Sequence, residues 1–321
     1  MEARRPTVLV LGSPAPAHLP ERDVLEPLAE VVYNPVKSRE ELYAAVRDVD
    51  AVMIGLEIFD APLIASMRRC RIISRYGIGY DNIDVDAATR AGIWVGRVPD
   101  YGWEAVSDHA LALFLACVRD LGALDRRARA GQPGRRRPMF LVKGRTFGVV
   151  GCGGIGSVLV RKLAGFGLAR ILVHDPYLTA EQVAAAGGEA AGLETLLRES
   201  DFVSLHTPLT DGTRGMIGAA QLALMKPTAV LVNTSRGAVV DEAALAAALA
   251  DGTIAAAGLD VFETEPLPAD SPLTGLDNVI LTNHLAWYTE ESSVELATKA
   301  ARNIREVFSG RPPLYPVNRI E

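Results

Sequence analysis

From Thr146 to Asp175 the chain reads Thr146-Phe-Gly-Val-Val150, then Gly151-Cys-Gly-Gly-Ile-Gly156, then a helical run of small and aliphatic residues, then Ile171-Leu-Val-His-Asp175. An apolar strand running straight into G-x-G-x-x-G, followed by a helix and a second apolar strand closed by an acid, is a βαβ unit shaped to receive a dinucleotide. The glycines have separate tasks. Gly151 permits the tight turn, Gly153 lets the backbone approach a pyrophosphate, and Gly156 lets helix and strand pack closely. The pyrophosphate would rest on the helix that opens at Gly154 and Ile155, where free N–H groups and the helix dipole favour an anion. Asp175 stands nineteen residues beyond Gly156. There a carboxylate can bind both ribose hydroxyls and repel a 2′-phosphate, which favours NAD (as NADH in the reducing direction) over NADP.

Before this unit the chain alternates short strands and helices. Strands are expected at Thr7 to Leu11, Val31 to Tyr33, Ala51 to Ile54, Arg71 to Ser74 and Ile93 to Val95. Helices are expected at Glu21 to Glu30, Arg39 to Arg47 and Ala61 to Arg69. The alternation predicts an α/β parallel sheet covered by helices. Directly after the fourth strand comes Arg75-Tyr-Gly77-Ile78-Gly79, where two glycines beside a cation expose backbone N–H groups to a carboxylate at the strand ends. Pro99 to Trp103 reads as a hinge, and Glu104 to Arg129 as one long buried helix. The arginines Arg135, Arg136 and Arg137 read as a solvated loop. Beyond Asp175 the pattern repeats, with strands at Phe202 to Leu205, Ala229 to Asn233, Ile254 to Leu259 and Val279 to Thr282. A last amphipathic helix, Glu290 to Phe308, could cross back to complete the first unit.

Composition removes several classes of function. Of 321 residues the formal net charge is −6 with both signs interspersed, so no basic face points to nucleic acid or an anionic membrane. No apolar run reaches transmembrane length. The three cysteines, Cys70, Cys117 and Cys152, are odd in number and scattered, which suggests reduced thiols and a cytoplasmic location. Cys152 reads as a small residue that fits the glycine turn. No cluster of residues has metal-ligand spacing.

The chemistry appears at the ends of the later strands. Asn233 leads into Thr234-Ser235-Arg236-Gly237, Leu259 into Asp260-Val-Phe-Glu-Thr-Glu265-Pro266, and Thr282 into Asn283-His284. An Arg, a Glu and a His are thereby delivered to the sheet edge where a nicotinamide must lie. Hydride transfer at a carbonyl needs these types. Arg236 offers a planar cationic fork for a carboxylate and its neighbouring oxygen, His284 a proton donor near neutrality, and Glu265 a partner that holds the imidazole. His18 and His109 have no partner that the sequence can name. His174 is expected to point into the sheet, and His206 is expected to lie nearer the cofactor without transferring a proton.

Taken together, Gly77-x-Gly79-Tyr-Asp-Asn-Ile-Asp84, the Gly151 to Gly156 motif with Asp175, His206-x-Pro-Leu-Thr210, Asn233-Thr-Ser-Arg-Gly237, Gly258-Leu-Asp-Val-Phe-Glu-x-Glu-Pro266 and His284 resemble the D-2-hydroxyacid dehydrogenase family. The resemblance implies two doubly wound flavodoxin- or Rossmann-like domains with a cleft between them. Residues 1–103 with 285–321 would form the substrate domain and 104–284 the NAD domain, and homodimers would join through the latter. It implies that Arg236 binds substrate, Glu265 supports His284, and His284 is the acid/base. It also puts Gly77 and Ile78 on the substrate carboxylate, and Thr207, Thr234, Ser235 and Asp260 around the NAD, bordered by Arg236 and His284. Trp287 after the His, together with Arg75, is similar to the C-terminal-binding protein branch, in which the tryptophan walls the substrate pocket and the additional Arg approaches the substrate carboxylate. Asn283 departs from the proline usual before the His, and Glu265 argues against the formate-oxidising relatives, which carry an amide there. The expected activity is NAD-dependent interconversion of a small 2-oxo acid and a D-2-hydroxy acid. The alternatives are an NAD(H)-sensing corepressor-like protein without turnover, and an enzyme that oxidises another anion such as phosphite.

Overall fold

A run such as Ala51-Val-Met-Ile54 has no polar face to turn to water, so it is stable only in a sheet covered on both sides. In the computed structural model all four residues are buried. The structure describes residues 4–13, 17–34, 36–134 and 137–320. The chain divides into two units, Met1–Gly102 with Thr289–Glu321, and Trp103–Tyr288. Trp103 and 285–288 thus group with the second unit, whereas the sequence reading places them in the first. The reason is local: the Trp103 indole lies against Gly154, and the backbone N–H groups of Leu285 and Ala286 are held by Asp260.

In the first unit, strands β1 (Thr7–Val10), β2 (Glu30–Tyr33), β3 (Ala51–Ile54), β4 (Ile72–Arg75) and β5 (Trp94–Gly96) form a wholly parallel sheet in the order β2-β1-β3-β4-β5. Helices α1 (Pro20–Leu25), α2 (Arg39–Val46), α3 (Ala61–Ser66) and α4 (Val85–Arg90) connect them. Helix α4 has no counterpart in the sequence reading because it is short. Its N-cap is Asp84, whose carboxylate accepts from Ala87 N at 2.8 Å. Asp84 and Asn82, after the glycine loop, are therefore braces: Asn82 also donates to the carbonyls of Gly55 and Glu57 at 3.2 and 2.8 Å.

In the second unit, β6 (Thr146–Val150), β7 (Arg170–His174), β8 (Glu189–Ala190), β9 (Phe202–Leu205), β10 (Val230–Asn233), β11 (Ala256–Leu259) and β12 (Val279–Leu281) form a parallel sheet in the order β12-β11-β10-β9-β6-β7-β8. Its helices are α5 (Trp103–Val118), α6 (Leu121–Arg129), α7 (Gly154–Leu163), α8 (Ala180–Ala185), α9 (Leu193–Glu199), α10 (Ala219–Leu222) and α11 (Glu242–Asp251). The strand order reverses between β6 and β9, so the glycine turn after β6 opens at a topological switch point, where such sheets bind ligands. Phe114 of α5 packs edge-on against Phe147 of β6 and Phe202 of β9, with ring centroids 5.1 and 4.7 Å away, and locks helix to sheet. The expected single helix from Glu104 to Arg129 is broken. Asp120 adopts a left-handed conformation (φ 52°) between α5 and α6, and Arg137 pairs with its carboxylate at 3.3 Å while donating to Ala255 O at 3.2 Å. Arg137 is therefore half-buried rather than solvated; Arg135 and Arg136 lie outside the described residues.

The C-terminal helix α12 (Glu290–Phe308) belongs to the first unit, capped by reciprocal bonds between Thr289 and Ser292. Its Leu296, Ala297, Ala300, Ala301 and Ile304 are buried, and Ser74 of β4 donates to the carbonyl of Ala300 at 2.8 Å. A helix of alternating small and large apolar residues at 3.6 spacing thus supplies a cover that the N-terminal part of the chain lacks.

Candidate active site

The glycine turn is built as its spacing requires. Gly151 sits at φ 88°, and a Cβ there would lie 2.7 Å from the carbonyl oxygen of His206. At Gly156 a Cβ would fall 2.1 Å from Gly151 O, so only glycine lets α7 come this close to β6. Nothing lies within 4 Å of the Cβ position of Gly153, which is the N-cap of α7 and offers no side-chain cap. The first-turn N–H groups of Gly154 and Ile155 are accordingly left for an anion. At the end of β7, Asp175 turns toward this turn and accepts from Cys152 N at 2.8 Å and Tyr177 N at 2.9 Å.

Two further observations fit a bound dinucleotide. The hydroxyls of Thr207 and Thr234 are buried with no hydrogen-bond partner among the described residues, as is Nδ1 of His206. Unpaired buried polar atoms are costly, and three at the ends of adjacent strands are what a site for a polar ligand leaves when its groups are built to serve that ligand. The residues present therefore fit NAD. The His206 ring bonds Ser204 Oγ at 2.8 Å, and burial pushes its imidazole down to about 4, so it is neutral at physiological pH. His174, at the end of β7, lies 3.2 Å from Ala191 O.

The Arg, Glu and His come together through two close approaches. Asn233, 1 % exposed, accepts from the backbone and hydroxyl of Ser235 at 3.0 and 2.8 Å and donates to Arg236 O at 2.9 Å, fixing the 234–236 turn. A Cβ on Gly237 would lie 1.8 Å from the carbonyl carbon of Phe262, so glycine presses this turn against the loop that carries Glu265. Glu265 accepts from Phe262 N at 3.1 Å and lies 2.6 Å from Nδ1 of His284. Burial would raise the Glu265 carboxyl, but the bond from His284, its charge and the nearby Arg236 outweigh this and hold the carboxyl below its ordinary value. An ionised carboxylate only accepts, so Nδ1 of His284 carries the proton and Nε2 is the atom left for chemistry. His284 itself takes φ 55°, a left-handed conformation rare outside glycine.

Asp260 is placed differently from a residue displayed to a ligand. It is 1 % exposed, and its oxygens accept from Leu285 N, Ala286 N and the Thr282 hydroxyl, so it holds the His loop in place. His109 of α5 joins this group, 2.9 Å from Thr282 Oγ1. That link spans elements far apart in the chain and has no signature in the sequence. Trp287 packs edge-on against Tyr288 with ring centroids 5.6 Å apart. In the first unit, Arg75 ends β4 at 6 % exposure and its guanidinium bonds Tyr76 O. Gly77, at φ 145°, has Arg75 Nη1 where a Cβ would be, so the guanidinium lies directly against Gly77.

The sequence model described as D-isomer specific 2-hydroxyacid dehydrogenase, NAD binding domain, matches residues 111–286. The chain is 44% identical over 288 residues to a glyoxylate reductase of Korarchaeum cryptofilum, covering 88% of this chain and 86% of that one. It is 43% identical over 289 residues to a glyoxylate reductase of Aeropyrum pernix, with 87% and 86% covered. The crystal structure of a glyoxylate reductase from Paecilomyes thermophila superposes with a TM-score of 0.88 at 32% identity, covering 98% of this chain and 99% of that one. These likenesses cover most of the chain and favour an enzyme over a dehydrogenase-like protein without turnover: the chain belongs to the D-isomer specific 2-hydroxyacid dehydrogenase family of oxidoreductases.

Proposed function

We propose that the protein reduces glyoxylate or a similarly small 2-oxo acid to the 2-hydroxy acid with NADH, and that Arg236, Glu265 and His284 carry the reaction. When bound, the cofactor supplies or accepts the hydride at the substrate α-carbon. His284 Nε2 gives its proton to the carbonyl oxygen during reduction and takes it back in oxidation. Glu265, ionised and bonded to Nδ1, fixes the ring orientation that points Nε2 at the substrate oxygen. Arg236 binds the carboxylate and the neighbouring oxygen with its planar fork. Arg75, with the backbone of Gly77 and Ile78, receives a carboxylate, and Trp287 walls the side-chain pocket, as in the C-terminal-binding protein branch. Asp175 on the ribose favours NAD over NADP, while Gly151, Gly153, Gly154, Ile155, Gly156, Thr207, Thr234 and Ser235 line the remaining cofactor site, and Asp260 holds the His loop behind it.

The observation that carries this reading is the 2.6 Å bond between His284 Nδ1 and a Glu265 held in its ionised form. It is tested by following NADH oxidation with glyoxylate, pyruvate, hydroxypyruvate and phenylpyruvate in wild type and His284→Ala. Turnover with at least one oxo acid, falling roughly 10²- to 10⁴-fold in the variant, is expected. An unchanged rate in His284→Ala would remove His284 from the chemistry.

Two features support the setting. Leu121, Met139, Phe140 and Leu141 of the second unit are exposed, Leu141 at 80%, which suits a homodimer joined through this unit. The cysteines Cys70, Cys117 and Cys152 are all free thiols, which suits the cytoplasm.

A further inference from the structure

His109 of α5 has no part in the reaction proposed above, yet its ring bonds Thr282, two residues before His284. That loop is conformationally costly. His284 is held at φ 55°, and a non-glycine residue keeps such a backbone only where its surroundings over-determine it. Beside Glu265, which holds the ring, the backbone of this loop is held by Asp260. Asp260 accepts from His284 N through its backbone carbonyl at 2.7 Å, and its carboxylate accepts from Leu285 N at 3.0 Å and Ala286 N at 2.8 Å. The orientation of that carboxylate is in turn set by Thr282, whose hydroxyl donates to Oδ1 at 2.5 Å. Thr282 has a single hydroxyl proton, and an acceptor-only carboxylate claims it. The contact of 2.9 Å from His109 Nε2 to Thr282 Oγ1 must then be donated by His109, which fixes the Nε2–H tautomer. His109 Nε2 also lies 3.5 Å from Asp260 Oδ1, where a positive ring would reinforce the same arrangement. The imidazole stands on a rigid base, since Val106, Ala110 and Leu113 around it on α5 are buried.

We infer that His109 is a positioning residue for His284, acting in series through Thr282 and Asp260; the inference rests on His284 being the acid/base, as proposed above. Without the His109 donor, Thr282 is free to turn its hydroxyl, one anchor of the Asp260 carboxylate loosens, and the strained His284 backbone relaxes away from its bond to Glu265.

The test compares NADH-dependent reduction of glyoxylate by wild type, His109→Phe, His109→Gln, Thr282→Val and Thr282→Ser, with His284→Gln as reference. His109→Phe and Thr282→Val should each lower kcat about ten-fold, the scale of one buried hydrogen bond lost from the reacting geometry, with KM within about two-fold. Their double variant should be no worse than either single one, because the link is serial. His109→Gln, which keeps a donor, and Thr282→Ser, which keeps the hydroxyl, should restore most of the rate. Nitrogen-15 NMR of the wild-type protein without cofactor should show His109 protonated at Nε2. Wild-type kcat in both His109→Phe and Thr282→Val, or His109 protonated only at Nδ1, overturns the inference while leaving His284 in place, provided that His284→Gln has lost turnover. If His284→Gln keeps turnover, the acid/base reading fails and the inference falls with it. Should His109→Phe not fold, Thr282→Val and Thr282→Ser decide the matter.

Discussion

The side chains at this site divide into those that face chemistry and those that hold them. Asp175 is both: its carboxylate braces the glycine turn through Cys152 N while remaining at the tip of β7, where a ribose would lie. Asp175→Ala is therefore expected to narrow the preference for NADH over NADPH, measured as the ratio of the two kcat/KM values, and also to weaken binding of both. An unchanged ratio would take Asp175 off the ribose. His206 gives a prediction about stability. Its ordinary value is 6.5, and in the fold burial pushes it down to about 4. As pH falls through 6.5, the unfolded chain binds a proton that the native chain refuses, so stability is lost from about 6.5 downward until the native ring also titrates near 4. The loss should be about 2 kcal/mol, short of the full shift because the residue as a whole is only partly buried. Urea midpoints of wild type between these pH values should fall more steeply than those of His206→Gln; parallel slopes would show that the buried ring does not titrate in this way.

At the scale of the element, the site depends on glycines that let backbone meet backbone. Gly237 is the plainest case, because a methyl group there would overlap Phe262 and drive apart the turn of Arg236 and the loop of Glu265. Gly237→Ala should destabilise the protein by roughly 1 to 3 kcal/mol, the usual cost of forced overpacking, and lower kcat/KM more than its lost stability explains. Gly165→Ala, where nothing lies within 4 Å of the added methyl and φ is not positive, is the control and should change the melting temperature little. Equal behaviour of the two would mean that the close approach at Gly237 is not what assembles the site. The same logic shows why the long helix expected over Glu104 to Arg129 is in fact two: apolar periodicity continues through 120, but Asp120 turns left-handed and its carboxylate is taken by Arg137. Periodicity reports which face is buried, and cannot report a break made by a side chain seventeen residues away.

For the whole molecule, the two units have different strand orders but share parallel strands, an arrangement whose carboxyl ends are where such sheets bind ligands. The exposed stretch Met139-Phe140-Leu141 has no such explanation within a single chain. If the second unit forms the homodimer interface, Leu141→Asp combined with Phe140→Asp should convert a dimer into a monomer in sedimentation velocity, with NADH binding retained. A wild-type protein that sediments as a monomer at micromolar concentration would end that proposal.

The amino-acid order alone determined the parallel α/β class, the glycine turn with its acid, and the placement of Arg236, Glu265 and His284 after successive strands. These are local or periodic properties: a turn that only glycine can make, an apolar run that only a covered strand can bury, a residue type delivered at a strand end. Tertiary structure decided which of those residues act on one another. Asp260 became the anchor of the His loop, Asn82 and Asp84 became braces, Arg137 was drawn into the fold, and His109 found Thr282 across the unit, because each depends on contacts between segments whose distance in the chain carries no signal. Hydrogen bonds and close packing are selected by where the folded backbone brings atoms together, and no spacing rule along the chain encodes that meeting.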